Sequence, residues 1–558
     1  MSPMPVFEPD SPQQHDTTGA DWLLLGSPQP AAVATGQSGG FSPENLDRPN
    51  DLRGDFACGH RRPDGQTTLA VDRFGMQSIC WRQGRNGVRF AARADSLAQG
   101  STIDPQAIFD YLFFHVIPSP RTIWKDVHRL PPGHVLRSDG VRVQVEPYWT
   151  PSFPVTRAAS FDQRAAEFRQ LLESAVAEQL DGGKPGCFLS GGTDSSTIAG
   201  MIGRAAGRPA ATYSIGFDAE GYDEMEFARL AARHFGAEHH EYYVTPADLV
   251  TGIPKVAASY DQPFGNSSAL PAYYCASMAH ADGVTRILAG DGGDELFGGN
   301  VRYAKQRVYG FYDHLPAMVR ASLIEPMALN PWARSLPGLR KVASYVAQAK
   351  LGLPARLETY NLLNRMGIEN ILTTRFLQAV DVEDPARQQL AVWNQPAGAS
   401  TLNQQLAYDW RYTLAEADLP KVRGTAALAN IAVGFPMLDQ RLVDFSAALP
   451  DDYKLRGHRL RWFFKEALRG FLPDQIISKK KQGFGLPFGP WLLKDPHLYE
   501  LAAASLGGLA ARGIVKPAFT DTLMRTQLRE HPGFYGEMVW ILMMLEQWLQ
   551  AHVPSYRV

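Results

Sequence analysis

Cysteine is scarce in this chain, with only Cys58, Cys80, Cys187 and Cys275 among 558 residues. The four fall at no paired metal-ligand spacing, so no zinc site is indicated, and their scarcity suits a reducing cytoplasm. Charge excess is missing as well. Lys and Arg number 55 against 57 Asp and Glu, a net charge of −2, which gives no global attraction to nucleic acid or to an anionic membrane. Long apolar runs are absent: the most apolar stretch, MVWILMMLEQWL, falls short of a membrane span and carries Glu546. The opening MSPMPVFEPDSPQQHDTTG has neither a basic n-region nor an apolar h-region, so it is no secretory signal. Residues 1–20 are expected to be a disordered lead-in. No internal repeat is present. The length exceeds what one hydrophobic core usually serves, so at least two domains are expected.

Between 21 and 150 the pattern is one of short strands broken by turns. DWLLLG, TTLAVDRF, SICWRQ, VRFAAR and HVLRS-DG-VRVQVEPYW read as such strands, and Asp139-Gly140 is a hairpin signal. From Phe161 the texture changes. RAAEFRQLLESAVAEQL has the spacing of an amphipathic helix; CFLS, ATYSIGF, HHEYYV and TRILAG read as strands; EMEFARLAARHFG reads as another helix. Strands alternating with helices imply an α/β doubly wound parallel sheet over part of residues 151–558, with a mainly helical portion after Gly299.

Ligands of such a sheet gather beyond the carboxyl ends of its strands. The first strand end runs into SGGTDSS. There Gly191 and Gly192 let the backbone turn tightly and approach a ligand, while the N-terminus of the next helix favours an anion. This is a phosphate cradle without the Walker lysine. An ordinary capped turn would explain two glycines alone, but not the complete motif Ser190, Gly191, Gly192, Asp194, Ser195 and Ser196. At the second strand end, SIGF (Ser214, Gly216, Phe217) offers backbone to a flat base. The third, LAGDGGDELFGG, puts Asp291, Asp294 and Glu295 in a glycine-rich loop that begins at Gly290. Asp194 and Asp294 are then two carboxylates able to face one phosphate-filled pocket, an arrangement suited to Mg2+.

These motifs, with the block LPKVRGTAALANIAVGFPMLDQRLVDFSAALP, resemble the synthetase domain of the asparagine synthetases and their relatives, among them β-lactam synthetases and lasso-peptide macrolactam cyclases. The resemblance implies an ATP- and Mg2+-dependent enzyme that activates a carboxylate as an acyl-adenylate, releases pyrophosphate and lets an amine attack. It implies that residues 190–196 bind pyrophosphate and that Asp194 and Asp294 hold Mg2+. In SKKKQGFGLPFGPW it places Lys481 where a lysine stabilises charge at the adenylated carbonyl, with Lys479 and Lys480 attracting the triphosphate.

LRGDFACG, LAVDRFGMQSICW and RLPPGHVL resemble pieces of the amidotransferase domain that supplies ammonia with an N-terminal cysteine. Here the chain starts Met1-Ser2-Pro3 and the first cysteine is Cys58, in a strand, so residues 21–150 are expected to be a degenerate amidotransferase-like scaffold. The amine must then come from elsewhere. At Asp291 this chain differs from the Glu of asparagine synthetases and the Tyr of β-lactam synthetases, and FFHVIPSPRTIWKDVHRLPPGH resembles lasso-peptide cyclases best. The expectation is macrolactam formation between the N-terminal amine of a precursor core peptide and an Asp or Glu side chain, with Asp291 or Glu295 as base. Expected partners are that peptide, a leader peptidase and a leader-recognition protein, with no nucleic acid and no membrane. Asparagine synthesis from free ammonia and a non-catalytic nucleotide-binding scaffold are the competing readings.

Overall fold

A computed structural model of the chain describes residues 14–15, 21–30, 42–85, 87–156, 159–313, 315–328, 330, 337–480 and 485–558. The disordered lead-in expected over 1–20 falls outside these residues except for Gln14–His15, which runs antiparallel to Asp21 and Trp22.

The first region is β-rich, as its short strands broken by turns predict. Its main sheet has six strands in the order Gln14–His15, Asp21–Gly26, Phe56–Arg61, Thr67–Val71, His134–Ser138 and Val143–Pro147, antiparallel throughout. A second sheet places Cys80–Gly84 between Gly87–Ala91 and His128–Arg129. Leu23, Leu69, Val71, Ile79, Phe90 and Leu136 fill the core that joins the two sheets. At the predicted hairpin, Asp139 Oδ1 accepts the Val141 and Arg142 amides at 2.9 and 2.7 Å. Gly140 follows at φ +94°, a left-handed conformation that glycine adopts without strain. The strand pattern gave no sign of the helix Pro105–Phe114. Asp104 caps it by accepting the Gln106 amide, Pro105 opens it, and Ile108, Phe109, Tyr111 and Leu112 are buried.

The second region holds five parallel strands in the order Glu238–Val244, Ala211–Phe217, Gly186–Phe188, Arg286–Leu288 and Ala432–Gly434. Both faces are covered. Cys187 and Leu288 pack with the helices Phe161–Ala177 and Thr193–Ala206 on one side. Ala211, Tyr213 and Ile287 pack against Ala269–Ala281 and Leu419–Leu428 on the other. Phe161–Ala177 starts at Ser160, whose hydroxyl accepts the Gln163 amide in a capping box worth about 1 kcal/mol. Its buried residues Ala165, Phe168, Leu172, Ala175 and Val176 recur at three- and four-residue steps, one face of a helix.

Among the described residues after Gly299 the regular structure is helical, apart from Ala432–Gly434 and the short hairpin Leu455–Arg456 and Arg459–Leu460. The apolar MVWILMMLEQWL stretch belongs to the helix Pro532–His552. Trp540 and Trp548 donate there to the carbonyls of Gly265 and Tyr260, each at 3.0 Å. Glu546 is neutralised by Arg512 at 2.7 Å, with both side chains almost fully buried. Among the described residues no helix is long and apolar enough to cross a membrane.

Candidate active site

The first strand of the parallel sheet in chain order, Gly186–Phe188, lies at its centre. The strand order reverses between it and Arg286–Leu288. At such a reversal successive connections depart to opposite faces and leave a crevice beyond the strand ends. The crevice here is a cavity of about 1100 Å3, and its lining brings together Ser190, Asp194, Ser214, Asp291, Asp294 and Glu295.

SGGTDSS enters as the turn from Phe188 into the helix Thr193–Ala206, which Gly192 caps. Ser195 Oγ accepts the Ser190 amide at 3.1 Å and lies 3.1 Å from Ser190 Oγ, so the loop is closed upon itself before any ligand arrives. Gly191 has φ +68°, and a Cβ there would come within 2.6 Å of Phe227 Cβ. Its glycine is therefore required by the helix Met225–Phe235 packed behind the loop. GDGGDE faces this loop across the crevice. Any Cβ on Gly290 would meet the Ser195 amide nitrogen at 2.9 Å, so a glycine lets the two loops touch.

Ser190, Gly192, Asp194, Ser195, Ser214, Gly290, Asp291, Asp294 and Glu295 all line the cavity, whereas Gly191, Ser196, Gly216 and Phe217 are not among its lining residues. Ser196 and Phe217 are buried, and the α-carbon of Gly216 faces the ring of Tyr243. Ser214 spends its hydroxyl on the Leu189 carbonyl, and this ties the second strand end to the first. Lys481 lies outside the described residues. Its neighbour Lys479 pairs with Glu224 at 2.9 Å and stands 4.4 Å from the Phe227 ring centre, so that cation is anchored to the wall. Lys480 lines the cavity.

Asp194 and Asp294 do converge, and an arginine stands between them. Arg461 Nη1 donates to Thr193 Oγ1 at 2.9 Å and to Asp194 Oδ2 and Asp294 Oδ1 at 2.8 Å each. Its Nη2 reaches Asp194 Oδ1. The side chain is 5% exposed and stacks over Phe464 at 4.1 Å. Burial would lower its pKa, but the two aspartates outweigh that and raise it. Arg461 adopts φ +54°, rare for a side chain of this size. It holds that conformation as the residue that turns the 455–460 hairpin into the helix Trp462–Ala467. Nothing in LRGHRLRWF marks it, because its function comes from partners far away in sequence.

A second charged group faces the other end of the GDGGDE loop. Lys421 Nζ lies 2.8 Å from Asp418 Oδ1 and 3.7 Å from Asp291 Oδ1. Burial pushes the Asp291 carboxyl up to about 6, against the pull of Lys421 and with the help of Asp418 and Asp194. Lys421 is partly buried, which would lower its pKa, but Asp418 and Asp291 prevail and raise it, keeping it an ammonium.

The donors around Asp194 and Asp294 are carboxylate and hydroxyl oxygens, the set Mg2+ prefers when it arrives on phosphates. The residues fit such an ion, provided the Arg461 hydrogen bonds yield to it.

In the amidotransferase-like region the buried Asp72 organises the turn after Thr67–Val71. It accepts the Phe74, Met76 and Gln77 amides at 3.0 Å and that of Phe56 at 3.2 Å. All four cysteines of the chain are buried, and burial raises every thiol. Arg423 joins this region to the parallel-sheet region by donating to the Met76 carbonyl at 3.0 Å and Ser78 Oγ at 3.1 Å.

The family model "Asparagine synthase" matches residues 167–550, and "Glutamine amidotransferase domain" matches residues 46–149. Asparagine synthetase [glutamine-hydrolyzing] 1 of Bacillus subtilis is 26% identical over 448 residues, 76% of this chain and 66% of that protein. A putative asparagine synthetase of Mycobacterium bovis is 25% identical over 499 residues, covering 86% and 73% of the two chains. Another from Methanocaldococcus jannaschii is 33% identical over 273 residues, 47% of this chain and 52% of that one. With two facing strand-end loops, a cavity at the sheet's reversal and a family model over most of its length, the chain belongs to the asparagine synthase family of ATP-dependent carbon–nitrogen ligases.

Proposed function

We propose that this chain closes a macrolactam on a ribosomal core peptide of the lasso class, joining the peptide's N-terminal amine to an Asp or Glu side chain through an acyl-adenylate. The observation that carries this reading is the burial of every cysteine. A thiol held protonated in the interior cannot attack glutamine, so the amine has to be supplied another way. A cavity of about 1100 Å3 also exceeds the ~300–1000 Å3 of ordinary small-molecule sites. It has room for ATP and part of a peptide.

In this mechanism SGGTDSS and Arg461 receive the phosphates. Asp194 and Asp294 would hold Mg2+, which supplies charge neutralisation on the leaving pyrophosphate. The substrate carboxylate attacks the α-phosphorus and pyrophosphate leaves. Lys481 is assigned to the carbonyl oxygen, where negative charge develops as the amine attacks and AMP departs. Asp291 takes the amine proton: a carboxyl near 6 is matched to general base work close to neutral pH. Holding both ends of one peptide in the cavity gives the amine a high effective concentration over water. A leader peptidase and a leader-recognition protein, working with the chain in the cytoplasm, would deliver the core peptide.

The test is incubation with ATP, Mg2+, the precursor and its peptidase. The expected outcome is AMP and pyrophosphate, with a product one water lighter than the linear core and no free α-amino group. The relatives are named glutamine-hydrolyzing asparagine synthetases, which favours asparagine as product; with the thiols buried, the second reading is its synthesis from aspartate and free ammonia. A linear core left unchanged beside efficient asparagine formation would establish that reading instead.

A further inference from the structure

Exposed apolar side chains are concentrated in one place. Twelve of the twenty large ones that stand exposed among the described residues fall between 301 and 360, about a ninth of the chain. Scattered exposed hydrophobics need no explanation, but a cluster this dense marks a surface that is covered in use. It is built by the helix Val301–Asp313, the helical stretch 317–328 and the helix Pro337–Ala349. These share only a small core of Tyr312, Ala328, Val346 and Ala349. Outside it Phe311 is 71% exposed, Met318 80%, Leu323 57%, Met327 60% and Val342 50%.

Three observations say what covers this surface. The unit starts at the candidate active site, because Gly299 and Val301 line the cavity. It is also fixed there: Arg302 and Tyr303 hold Asp409, and Arg307 donates to the Leu455 carbonyl at 3.1 Å, at the base of the hairpin that leads to Arg461. The ten residue steps from Val301 to Phe311 rise about 15 Å along the helix, a length that about five extended peptide residues would follow. Lastly, Lys305, Arg307, Arg340 and Lys341 stand exposed on these helices, while Glu325 is paired with Lys350 at 2.8 Å and Glu358 accepts from Gln389 and Tyr408. The surface is therefore apolar, basic and continuous with the cavity, and its methionines adapt to varied apolar partners.

We infer that the helices Val301–Asp313, 317–328 and Pro337–Ala349 dock the part of the peptide substrate that lies outside the cavity, an extended segment of apolar residues interspersed with acidic ones. This rests on the reading that the substrate is a peptide. A peptide with one carboxyl and one amine in the cavity must lay its remainder along the rim, and this rim offers apolar contact together with exposed basic side chains.

The probe is a fluorescein-labelled peptide of Gly-Leu-Phe-Glu repeats, with Gly-Leu-Phe-Lys repeats as the charge control. Anisotropy is read on the full chain and on the double variant Phe311→Asp, Met318→Asp. Both positions are exposed, and the melting temperature confirms that the variant folds. Wild type should bind the acidic probe about tenfold more tightly than the basic one, and the variant should weaken acidic-probe binding about tenfold. Equal affinities in wild type and variant would overturn the inference. So would binding of wild type, but not the variant, to phosphatidylglycerol vesicles without any preference for the acidic peptide, or wild-type dimers that the variant abolishes. AMP release with the core peptide is measured separately: its absence from wild type counts against the peptide-cyclising function, and the anisotropy difference still decides the docking surface.

Discussion

Lys421 Nζ stands 3.7 Å from Asp291 Oδ1, close enough to favour the carboxylate yet too far for a direct hydrogen bond. Burial raises Asp291 to about 6 and Lys421 restrains that rise. The proton-accepting form of Asp291 is thus present above about pH 6 and lost as pH falls through that value. Replacing Lys421 with Met removes the restraint, so the acid limb of the pH–rate profile should move up by about one to three units. Activity at high pH should be affected less. A profile lowered equally at every pH would show that Lys421 does not tune Asp291.

Arg461 predicts a metal response. In wild type its guanidinium already neutralises Asp194 and Asp294, so Mg2+ without ATP should leave the melting temperature unchanged. Arg461→Met leaves two neighbouring carboxylates without their shared cation, and Mg2+ alone should then stabilise the protein. Turnover of Arg461→Met should drop by about 10²-fold or more. Arg461→Lys should recover only part of it, because an ammonium cannot reproduce the bidentate fork. Identical metal responses in wild type and Arg461→Met would contradict the bridge.

The glycines facing the carboxylates give a steric test. A Cβ on Gly299 would lie 2.6 Å from Asp294 Cγ, and one on Gly293 would lie 2.6 Å from Asp194 Cγ. Gly299→Ala and Gly293→Ala should each lower activity more than about tenfold by displacing a carboxylate. Gly203→Ala, where a Cβ meets open space within a helix, should keep activity and gain about 1 kcal/mol of stability. Thermal melts with steady-state rates separate the two classes.

Thiol chemistry tests the amidotransferase-like region. With all four cysteines buried and their thiols raised, a thiol reagent should label none in the native protein and all four in guanidinium. Glutamine should yield no glutamate above background. A single fast-reacting thiol accompanied by glutamine hydrolysis would show that an amidotransferase operates after all.

Asp72 carries the stability prediction. Its two carboxylate oxygens each accept two backbone amides, so Asp72→Asn presents an amino group to two donors. The expected cost is about 2–4 kcal/mol, read as a lower denaturation midpoint.

What could be read in the sequence was what is encoded locally. The helix Phe161–Ala177 shows its face at every turn, and SGGTDSS and GDGGDE sit together at strand ends, so both motifs were placeable before their neighbours were known. Arg461 and Asp418 escaped because each reaches its partner from a segment with no signature of its own, and Lys421, although inside the LPKVRG block, escaped because nothing in that block shows that it faces Asp291. Pro105–Phe114 was hidden because nearly all of it is buried, which erases the polar and apolar alternation that marks a surface helix. Gly216 and Phe217 read as ligand contacts because a strand was expected to end there. The strand does end at Phe217, but packing turns both residues inward.

The Arg461 bridge also bears on the order of assembly during synthesis. Asp194 and Asp294 leave the ribosome well before Arg461, so an unfinished chain holds these two aspartates without the guanidinium that bridges them, and their like charge opposes the approach of the two loops. Docking of the 455–460 hairpin reverses that repulsion. The facing carboxylates therefore gain this shared cation only once the chain has grown past residue 461, about five sixths of its length, although the Ser190–Ser195 contacts can close the first loop long before.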